Sequence, residues 1–170
     1  MARNALLPGV ADEREMLRLM GEYGPSLVGM CTLLLKDAYL AQDVVQETFI
    51  RAWQKGKLRH ETEKAWLSRV AVNLCRDEYR SRWFRHVDRR ITPEELSIPA
   101  DAPKLDSGLL DSVHRLPARE REVIVMHYWN DMSPEDIAST LGIDRATVFR
   151  RLARGRNKLK IELEGGSEHD

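Results

Sequence analysis

Apolar side chains recur at three- and four-residue spacing along most of this 170-residue chain, a pattern typical of amphipathic α-helices. The spacing predicts three helices before residue 90, with Met16, Leu19 and Met20 among the core positions of the first. Gly24 and Pro25 either begin a new helix within that first segment or kink it. Four shorter helices are predicted after residue 106. Since no long segment alternates apolar and polar residues, the expected fold is all-α.

The helical pattern is interrupted once, in the stretch 92–108, which contains three prolines, several acids and no helical periodicity. This composition predicts a linker. The chain is therefore expected to form two small helical domains, at 12–90 and 108–163, joined by a flexible acidic linker at 91–107. Neither domain is large, so each should be a compact bundle with a thin core.

Charge is balanced over the whole chain, at 27 basic and 27 acidic residues, but it is segregated along the sequence. The segment 145–160 carries seven cationic side chains and no acid, and the segment 69–90 carries seven arginines against three acids. The linker between them is acidic. Two basic segments separated by an acidic one predict two contact surfaces for a polyanion.

The basic part of the third predicted helix forms a line at four- and three-residue steps: Arg69, Asn73, Arg76, Arg80 and Trp83. Arginines can neutralise phosphates, while unstacked bases can rest on an aromatic ring or meet an amide edge. The line therefore favours a surface for single-stranded nucleic acid. The alternative is an ordinary solvated helix face.

The last two predicted helices have a helix-turn-helix pattern. Ser133 is an expected N-cap followed by Pro134, Gly142 is an expected left-handed cap, and Asp144 caps the final helix. This pattern favours duplex DNA binding over a plain helical hairpin. The side chains expected to face base edges are Phe149, Arg150, Ala153 and Arg154.

Other chemistry finds little support in the sequence. The five histidines are scattered, the two cysteines lack the spacing of metal ligands, and no glycine-rich phosphate loop is present. We therefore expect no enzyme, no metal and no cofactor. Cys31 and Cys75 are expected to be buried free thiols, although a disulfide is possible. No stretch resembles a membrane span or a secretory signal, which predicts a cytoplasmic chain without membrane contact of its own.

Taken together, these segments resemble the small bacterial sigma factors of the extracytoplasmic-function (ECF) group, in the sigma-70 family. AQDVVQETFIRAW is similar to the family's polymerase-docking segment, and WLSRVAVNLCRDEYR to the segment that reads the −10 promoter element. RLPAREREVIVMHYWNDMSPEDIASTLGIDRATVFRRLARGRNKL resembles the domain that reads the −35 element. The segments occur in the family's order over nearly the whole chain.

The resemblance implies three sets of contact residues. Core polymerase would be bound by Asp43, Gln46, Glu47 and Ile50, although Asp43 and Glu47 could instead be plain surface residues. The −10 element would be bound by Leu58, Arg59, His60, Arg69, Asn73, Arg76 and Arg80. The −35 element would be bound by Arg145, Thr147, Phe149, Arg150, Arg151, Arg154 and Lys158. Phe149 departs from the family, where a polar or basic residue is frequent.

By the same resemblance, the chain directs core RNA polymerase to specific promoters and performs no chemistry itself. The implied partners are the β and β′ subunits of the polymerase, promoter DNA in double- and single-stranded form, and a controlling anti-sigma factor. The alternative function is a helix-turn-helix transcription regulator that acts without docking on polymerase. The promoter sequence, the regulon, the inducing signal and the identity of the anti-sigma factor do not follow from the sequence.

Overall fold

The computed structural model describes residues 12–85 and 107–165, and within them every regular element is helical. The all-α prediction is therefore confirmed. The predicted linker lies outside the described residues except for its final residue, Ser107, which begins a helix. The helices are α1 (Glu13–Leu35), α2 (Ala38–Lys55), α3 (Glu63–Arg85), α4 (Ser107–Arg115), α5 (Ala118–Ile124), α6 (Pro134–Leu141) and α7 (Arg145–Gly165).

The first domain is a bundle of α1, α2 and α3. Asp12 caps α1 by accepting a hydrogen bond from the backbone N–H of Arg14 at 3.2 Å, and Lys36 ends the helix in a left-handed conformation. Between these caps α1 continues through Pro25, so the possibility of a new helix at that point is wrong. A proline costs an interior helix one hydrogen bond, but the buried side chains of α1 on both sides of Pro25 hold it in one piece.

The core of the first domain contains most of the predicted apolar positions, with one clear exception. Met16 and Leu19 are buried, whereas the side chain of Met20 is 48% exposed, so its assignment to the core is wrong. Met20 lies next to Leu17, which is also exposed. A helix in a three-helix bundle has only one buried stripe, and both residues fall just outside it.

The second domain contains the predicted helix-turn-helix, formed by α6 and α7. The Ser133 hydroxyl accepts from the backbone N–H of Asp136 at 3.1 Å, which caps α6. Gly142 ends α6 with φ of 65°, and the backbone N–H of Ile143 bonds back to the Ala138 carbonyl at 3.1 Å. Val148 then packs into the core at the start of α7. The expected caps and turn are all confirmed.

The helix predicted to end near Trp129 does so through an irregular turn. After α5, residues Val125–Trp129 form one π-helical turn, and Asp131 then takes a left-handed conformation with φ of 52°. Single π-helical turns of this kind occur as bulges within α-helices, frequently at functional sites. Here the turn directs Trp129 and Asn130 toward the first domain.

The two domains pack against each other, which the linker prediction did not anticipate. The Trp129 indole N–H donates to the Ser26 carbonyl of α1 at 3.0 Å. The Asn130 side-chain amide donates to the Ser68 hydroxyl of α3 at 2.6 Å, in a buried position. Consequently α3 is covered on two sides, by its own bundle and by α6 with the segment before it.

Candidate polymerase and nucleic-acid interfaces

The outer face of α2 combines polar and apolar side chains in the pattern of a docking surface. Asp43 and Gln46 are exposed, Glu47 is half-buried and pairs with Arg51 at 3.0 Å, and the Ile50 side chain is 47% exposed. These four predicted polymerase contacts share one face because they recur at helical spacing. A single exposed apolar residue is common on protein surfaces, so Ile50 indicates an interface only if further exposed apolar side chains lie beside it.

This face continues into a groove that the sequence did not reveal. The groove lies between α1 and α2, has a volume of about 480 Å³ and has Ile50 and Gln46 on its α2 side. Its α1 side is formed by Leu17 and Met20, which are 63% and 48% exposed. The available signal was an apolar residue immediately beside two core positions of α1, Leu17 beside Met16 and Met20 beside Leu19. Met20 was read as core because a helix packed on two sides has the same spacing.

The loop between α2 and α3 contains three residues predicted to contact the −10 element. Arg59 and His60 are exposed, whereas Leu58 is 7% exposed and belongs to the core. Leu58 therefore fixes the loop to the bundle rather than extending from it. The loop is closed by a hydrogen bond from the Thr62 backbone N–H to the Arg59 carbonyl at 3.0 Å.

The same loop is attached to α1 through Glu63, a fully buried carboxylate at the start of α3. Two nitrogens of Arg18 donate to its two oxygens, at 3.0 and 2.7 Å, and the Tyr23 hydroxyl donates at 2.9 Å. His60 Nδ1 lies 3.1 Å from the same carboxylate. The hydrogen bonds from Arg18 hold the pKa of Glu63 below its usual value. Sequence reasoning missed this network because its members are about forty residues apart.

The predicted line along α3 is present, but the second domain contacts part of it. Asn73 and Arg80 are exposed, and the side chain of Trp83 lies outside the described side chains. Arg69 donates to the Ser139 hydroxyl at 2.7 Å. Arg76 lies 3.4 Å from the Glu122 carboxylate and donates to the Leu141 carbonyl at 3.5 Å. Two guanidinium groups of the line, those of Arg69 and Arg76, therefore lie against the second domain.

The amino-terminal half of α7 presents cations to solvent. Asp144 accepts from the Thr147 backbone N–H at 2.7 Å and from its hydroxyl at 3.0 Å, and these bonds hold the pKa of Asp144 below its usual value. Arg150 donates to the Thr147 hydroxyl at 2.8 Å, and this hydrogen bond orients its guanidinium group. The predicted −35 contacts that are exposed are Arg145, Phe149, Arg150, Arg154 and Lys158, while Thr147 and Arg151 are half-buried.

Phe149 is an exposed aromatic ring within this basic surface. Its side chain is 45% exposed, and the guanidinium of Arg145 lies over the ring, 5.4 Å from its centre. This cation–π contact orients both side chains on the outer face of the helix-turn-helix. Arg145 also pairs with Glu135 of α6 at 3.0 Å, which ties the two helices together beside the ring.

The chain matches known proteins over both domains. The model of Sigma-70 region 2 matches residues 19–85, and that of Sigma-70 region 4 matches residues 108–159. The ECF RNA polymerase sigma factor SigL of Mycobacterium tuberculosis is 36% identical over 162 residues, which are 91% of this chain and 92% of that protein. The chain belongs to the ECF sigma factors. CarQ of Myxococcus xanthus, an RNA polymerase sigma factor, is 31% identical over 88% of this sigma factor and 89% of its own length.

A solved structure agrees with this sigma factor in fold. The sigma factor RpoE of Bartonella quintana, in complex with the anti-sigma factor NepR, is 26% identical. Its similarity has a TM-score of 0.73 and covers 89% of this chain and 98% of that one. The α1–α3 bundle is thus region 2, and α4–α7 are region 4. The alternative of a regulator built on the helix-turn-helix alone does not account for region 2.

Two further findings concern the described part of this sigma factor. Cys31 and Cys75 are both free and buried, as expected, and the pKa of Cys75 is raised by its hydrogen bond with Cys31 and by burial. None of the described helices has the length and apolar content that crossing a bilayer requires. Among the same residues, no group of histidine, cysteine and acidic side chains is placed to bind a metal ion.

Proposed function

We propose that this sigma factor binds core RNA polymerase through the groove between α1 and α2 and reads promoters through α3, the loop before it and α7. The observation that carries the proposal is that one chain has three distinct surfaces, one apolar with acidic neighbours and two cationic. Core polymerase and the two promoter elements are three partners of the matching chemistry.

The docking surface suits a basic partner. Ile50, Leu17 and Met20 supply an exposed apolar centre, and Asp43 and Glu47 supply charge at its edge. Interfaces of this kind combine an apolar core with a polar rim that selects the partner. The proposed partners are the β and β′ subunits, with the acidic residues pairing with arginines of the polymerase clamp.

The two DNA surfaces suit two different states of DNA. Arg150, Arg154 and Phe149 lie exposed near the start of α7, where a recognition helix contacts base edges in the major groove. The neighbours Arg145, Thr147, Arg151 and Lys158 are assigned to phosphates. On α3, Arg69, Arg76 and Arg80 are assigned to the backbone of the melted −10 strand and Asn73 to one of its bases, with Arg59 and His60 beside it.

The proposal also covers chemistry, location and control. The sigma factor supplies no catalytic group, needs no cofactor, and acts in the cytoplasm with polymerase and DNA. An anti-sigma factor controls it, as supported by the Bartonella quintana relative that binds NepR. An apolar groove of about 640 Å³ beside Leu109 and Tyr128, both exposed, could take the apolar face of such a partner's helix.

Run-off transcription with purified core polymerase on genomic fragments tests the proposal. We expect new transcript starts that require this chain, and co-elution of the chain with core enzyme. Tight binding to duplex DNA with no affinity for polymerase would instead support a regulator that acts alone.

A further inference from the structure

A polar pocket opens where the end of α1 meets α4 and α5. Its volume is about 740 Å³, which lies in the range of small-molecule sites. Three of the lining side chains are cations, namely Lys36, Arg115 and Arg121, and one is an acid, Asp111. None of the residues that line the pocket belongs to the sets assigned above to polymerase or promoter DNA. We call it the cationic pocket.

The positive charges of the cationic pocket come from different parts of the fold. Lys36 is the left-handed residue that ends α1, Arg115 is the last residue of α4, and Arg121 lies in α5. Burial and the charge of Arg121 lower the pKa of Lys36. Asp111 is exposed, and Arg115 has a second acid nearby, Glu162 of α7 at 3.9 Å. Folding therefore holds Lys36 and Arg121 together against their mutual repulsion.

The guanidinium of Arg121 is fixed in position by its own hydrogen bonds. The residue is 5% exposed, and it donates to the His114 carbonyl at 3.1 Å and to the Tyr79 hydroxyl at 2.6 Å. A guanidinium has more N–H groups than these two bonds use. The Tyr79 hydroxyl accepts here and still has its own proton to donate. An oxygen bound in the pocket would therefore meet donors that are already oriented.

His114 adds an unsatisfied polar atom to the same pocket. Its side chain lines the pocket, and its Nε2 atom is buried without a hydrogen-bond partner in the described part of the chain. Such atoms are rare in native proteins, because lost hydration without a replacement bond costs free energy. Burial, Lys36 and Arg121 together lower the pKa of His114 to about 4. An anion in the pocket would offset the effect of both cations.

The arrangement selects a ligand with more than one negative charge and oxygens on several sides. A carboxylate has a single charge and presents its oxygens in one plane, whereas a phosphate group carries more charge and directs oxygens to several sides. Lysine binds phosphate as a point charge and arginine through paired N–H groups, and the pocket contains both. Its volume suits a small organic molecule rather than a lone ion.

We propose that the cationic pocket binds a small molecule that carries phosphate, with Lys36 and Arg121 contacting the phosphate oxygens and Arg115 at the rim. This adds a class of ligand to the polymerase and nucleic acid of the proposed function. The inference does not depend on that function, since a chain that never directs polymerase would bind phosphate in the same way.

The test uses the isotope-labelled full chain and two probes, inorganic pyrophosphate and adenosine triphosphate. Each is titrated at neutral pH against chloride at matched ionic strength, because salt alone screens exposed charges. The backbone NMR signals of Lys36, Tyr79, His114 and Leu116, which all line the pocket, should shift and saturate. Saturation by pyrophosphate supports the site and shows that phosphate suffices. Saturation by the nucleotide alone supports it and shows that the nucleoside contributes.

Lys36→Asn measures the contribution of the lysine. Asparagine tolerates the left-handed conformation that ends α1, so the variant should fold. Loss of one charge-assisted contact should weaken binding of the saturating probe about tenfold. Lys57→Asn is the matched control, because Lys57 is an exposed lysine in the loop before α3 and its replacement removes the same charge. The affinity of this control for the probe should equal that of the wild type.

The imidazole of His114 provides a second, local readout. Lys36 and Arg121 lower its pKa, while Asp111 of the same helix raises it. Tyr79 and Arg115 also line the pocket, and side chains of these types do not titrate in acid. An anion beside the cations favours the protonated ring, so saturating pyrophosphate should raise the pKa of His114 above about 4.

Three results would overturn the proposal: no saturable shift of the pocket's signals with either probe, equal affinities of Lys36→Asn and Lys57→Asn, or an unchanged pKa of His114 with the probe bound. A short single strand that shifts these signals while neither probe does would also overturn it, because the pocket would then contact nucleic acid. These measurements need neither a promoter nor polymerase. Their failure would leave the proposed function standing, and a chain that never redirects transcription would leave this inference standing.

Discussion

At the scale of single residues, the buried carboxylate of Glu63 connects three parts of the first domain, which its position in the sequence does not indicate. Its oxygens accept from Arg18 on α1 and from Tyr23, and His60 of the loop lies beside them. The residue thereby joins α1, α3 and the loop before α3 at one point. This network holds in place the loop that is proposed to contact the −10 element.

Glu63→Gln should destabilise the first domain by about 2 kcal/mol, because an amide offers the Arg18 guanidinium one neutral acceptor in place of two charged ones. The pKa of Glu63 is lowered in the folded state, so its contribution is complete above the ordinary glutamate pKa and is lost as pH falls below it. Urea unfolding at neutral pH and at about pH 3 should therefore show a difference between wild type and variant that shrinks in acid. A constant difference would contradict the assigned charge.

We expect the basic residues of α7 to differ in role although they share one helix. Replacing Arg150 and Arg154 together by alanine should abolish run-off transcription from a mapped promoter while binding to core polymerase is retained. Each bidentate arginine–guanine contact contributes about 1–3 kcal/mol of discrimination. Arg156→Ala is the control, because that guanidinium donates to the Tyr128 hydroxyl on another side of the helix, at 2.9 Å. Equal loss of transcription and polymerase binding would refute the division of roles.

At the scale of elements, the helix-turn-helix depends on how closely α7 approaches α5. Gly155 lies at the crossing, where a Cβ atom would come within 2.6 Å of Ile124 Cγ1. Its neighbours Val148 and Leu152 complete the buried stripe of α7. The glycine is thus a packing residue, and the angle at which α7 presents its outer face depends on it.

Gly155→Ala should destabilise the second domain, because overpacking costs about 1–3 kcal/mol and exceeds the gain in helix propensity of about 1 kcal/mol. Gly155→Ala should cost less in a chain that already has Ile124→Ala, because the obstructing side chain is then absent. A double-mutant cycle from thermal or urea unfolding measures the coupling. Additive effects of the two changes would contradict the predicted steric conflict.

At the scale of the whole molecule, the boundary between the two domains contains a histidine whose surroundings disfavour its protonated form. His114 of α4 faces α1, and its pKa is lowered to about 4 by burial, with further contributions from Lys36 and Arg121. Asp111 of its own helix acts in the opposite direction, as does the Thr32 backbone. Tyr79 completes the surroundings of this site. A protonated imidazole of His114 would place a third positive charge beside those of Lys36 and Arg121.

The contact between the two domains should therefore weaken as pH falls from about 6.5, the ordinary histidine pKa, to about 4. Within that window a chain with its domains apart binds more protons than one with its domains in contact, so the contact is lost in acid. Scattering across this range should show expansion of the wild type and less expansion of His114→Gln. Glu122 titrates with the opposite sign because burial raises its pKa. Identical scattering curves for both proteins would contradict the expectation that protonation of His114 weakens the contact between the domains.

The sequence alone determined the features that depend on neighbours along the chain. Helix caps at Ser133 and Asp144 and the left-handed Gly142 could be predicted because each satisfies backbone groups within four residues. The order of the charged segments and the family's motifs could be read in the same way, and with them the two regions and the polymerase-directing role.

Only the tertiary structure decided which faces are covered. Periodicity gives a helix its apolar stripe but does not say how many neighbours bury it, so Met20 was wrongly assigned to the core. The Glu63 network and the contact of Trp129 with Gly29 join residues far apart in sequence. Such contacts form because the folded chain brings distant shapes and charges together, and no local pattern records that.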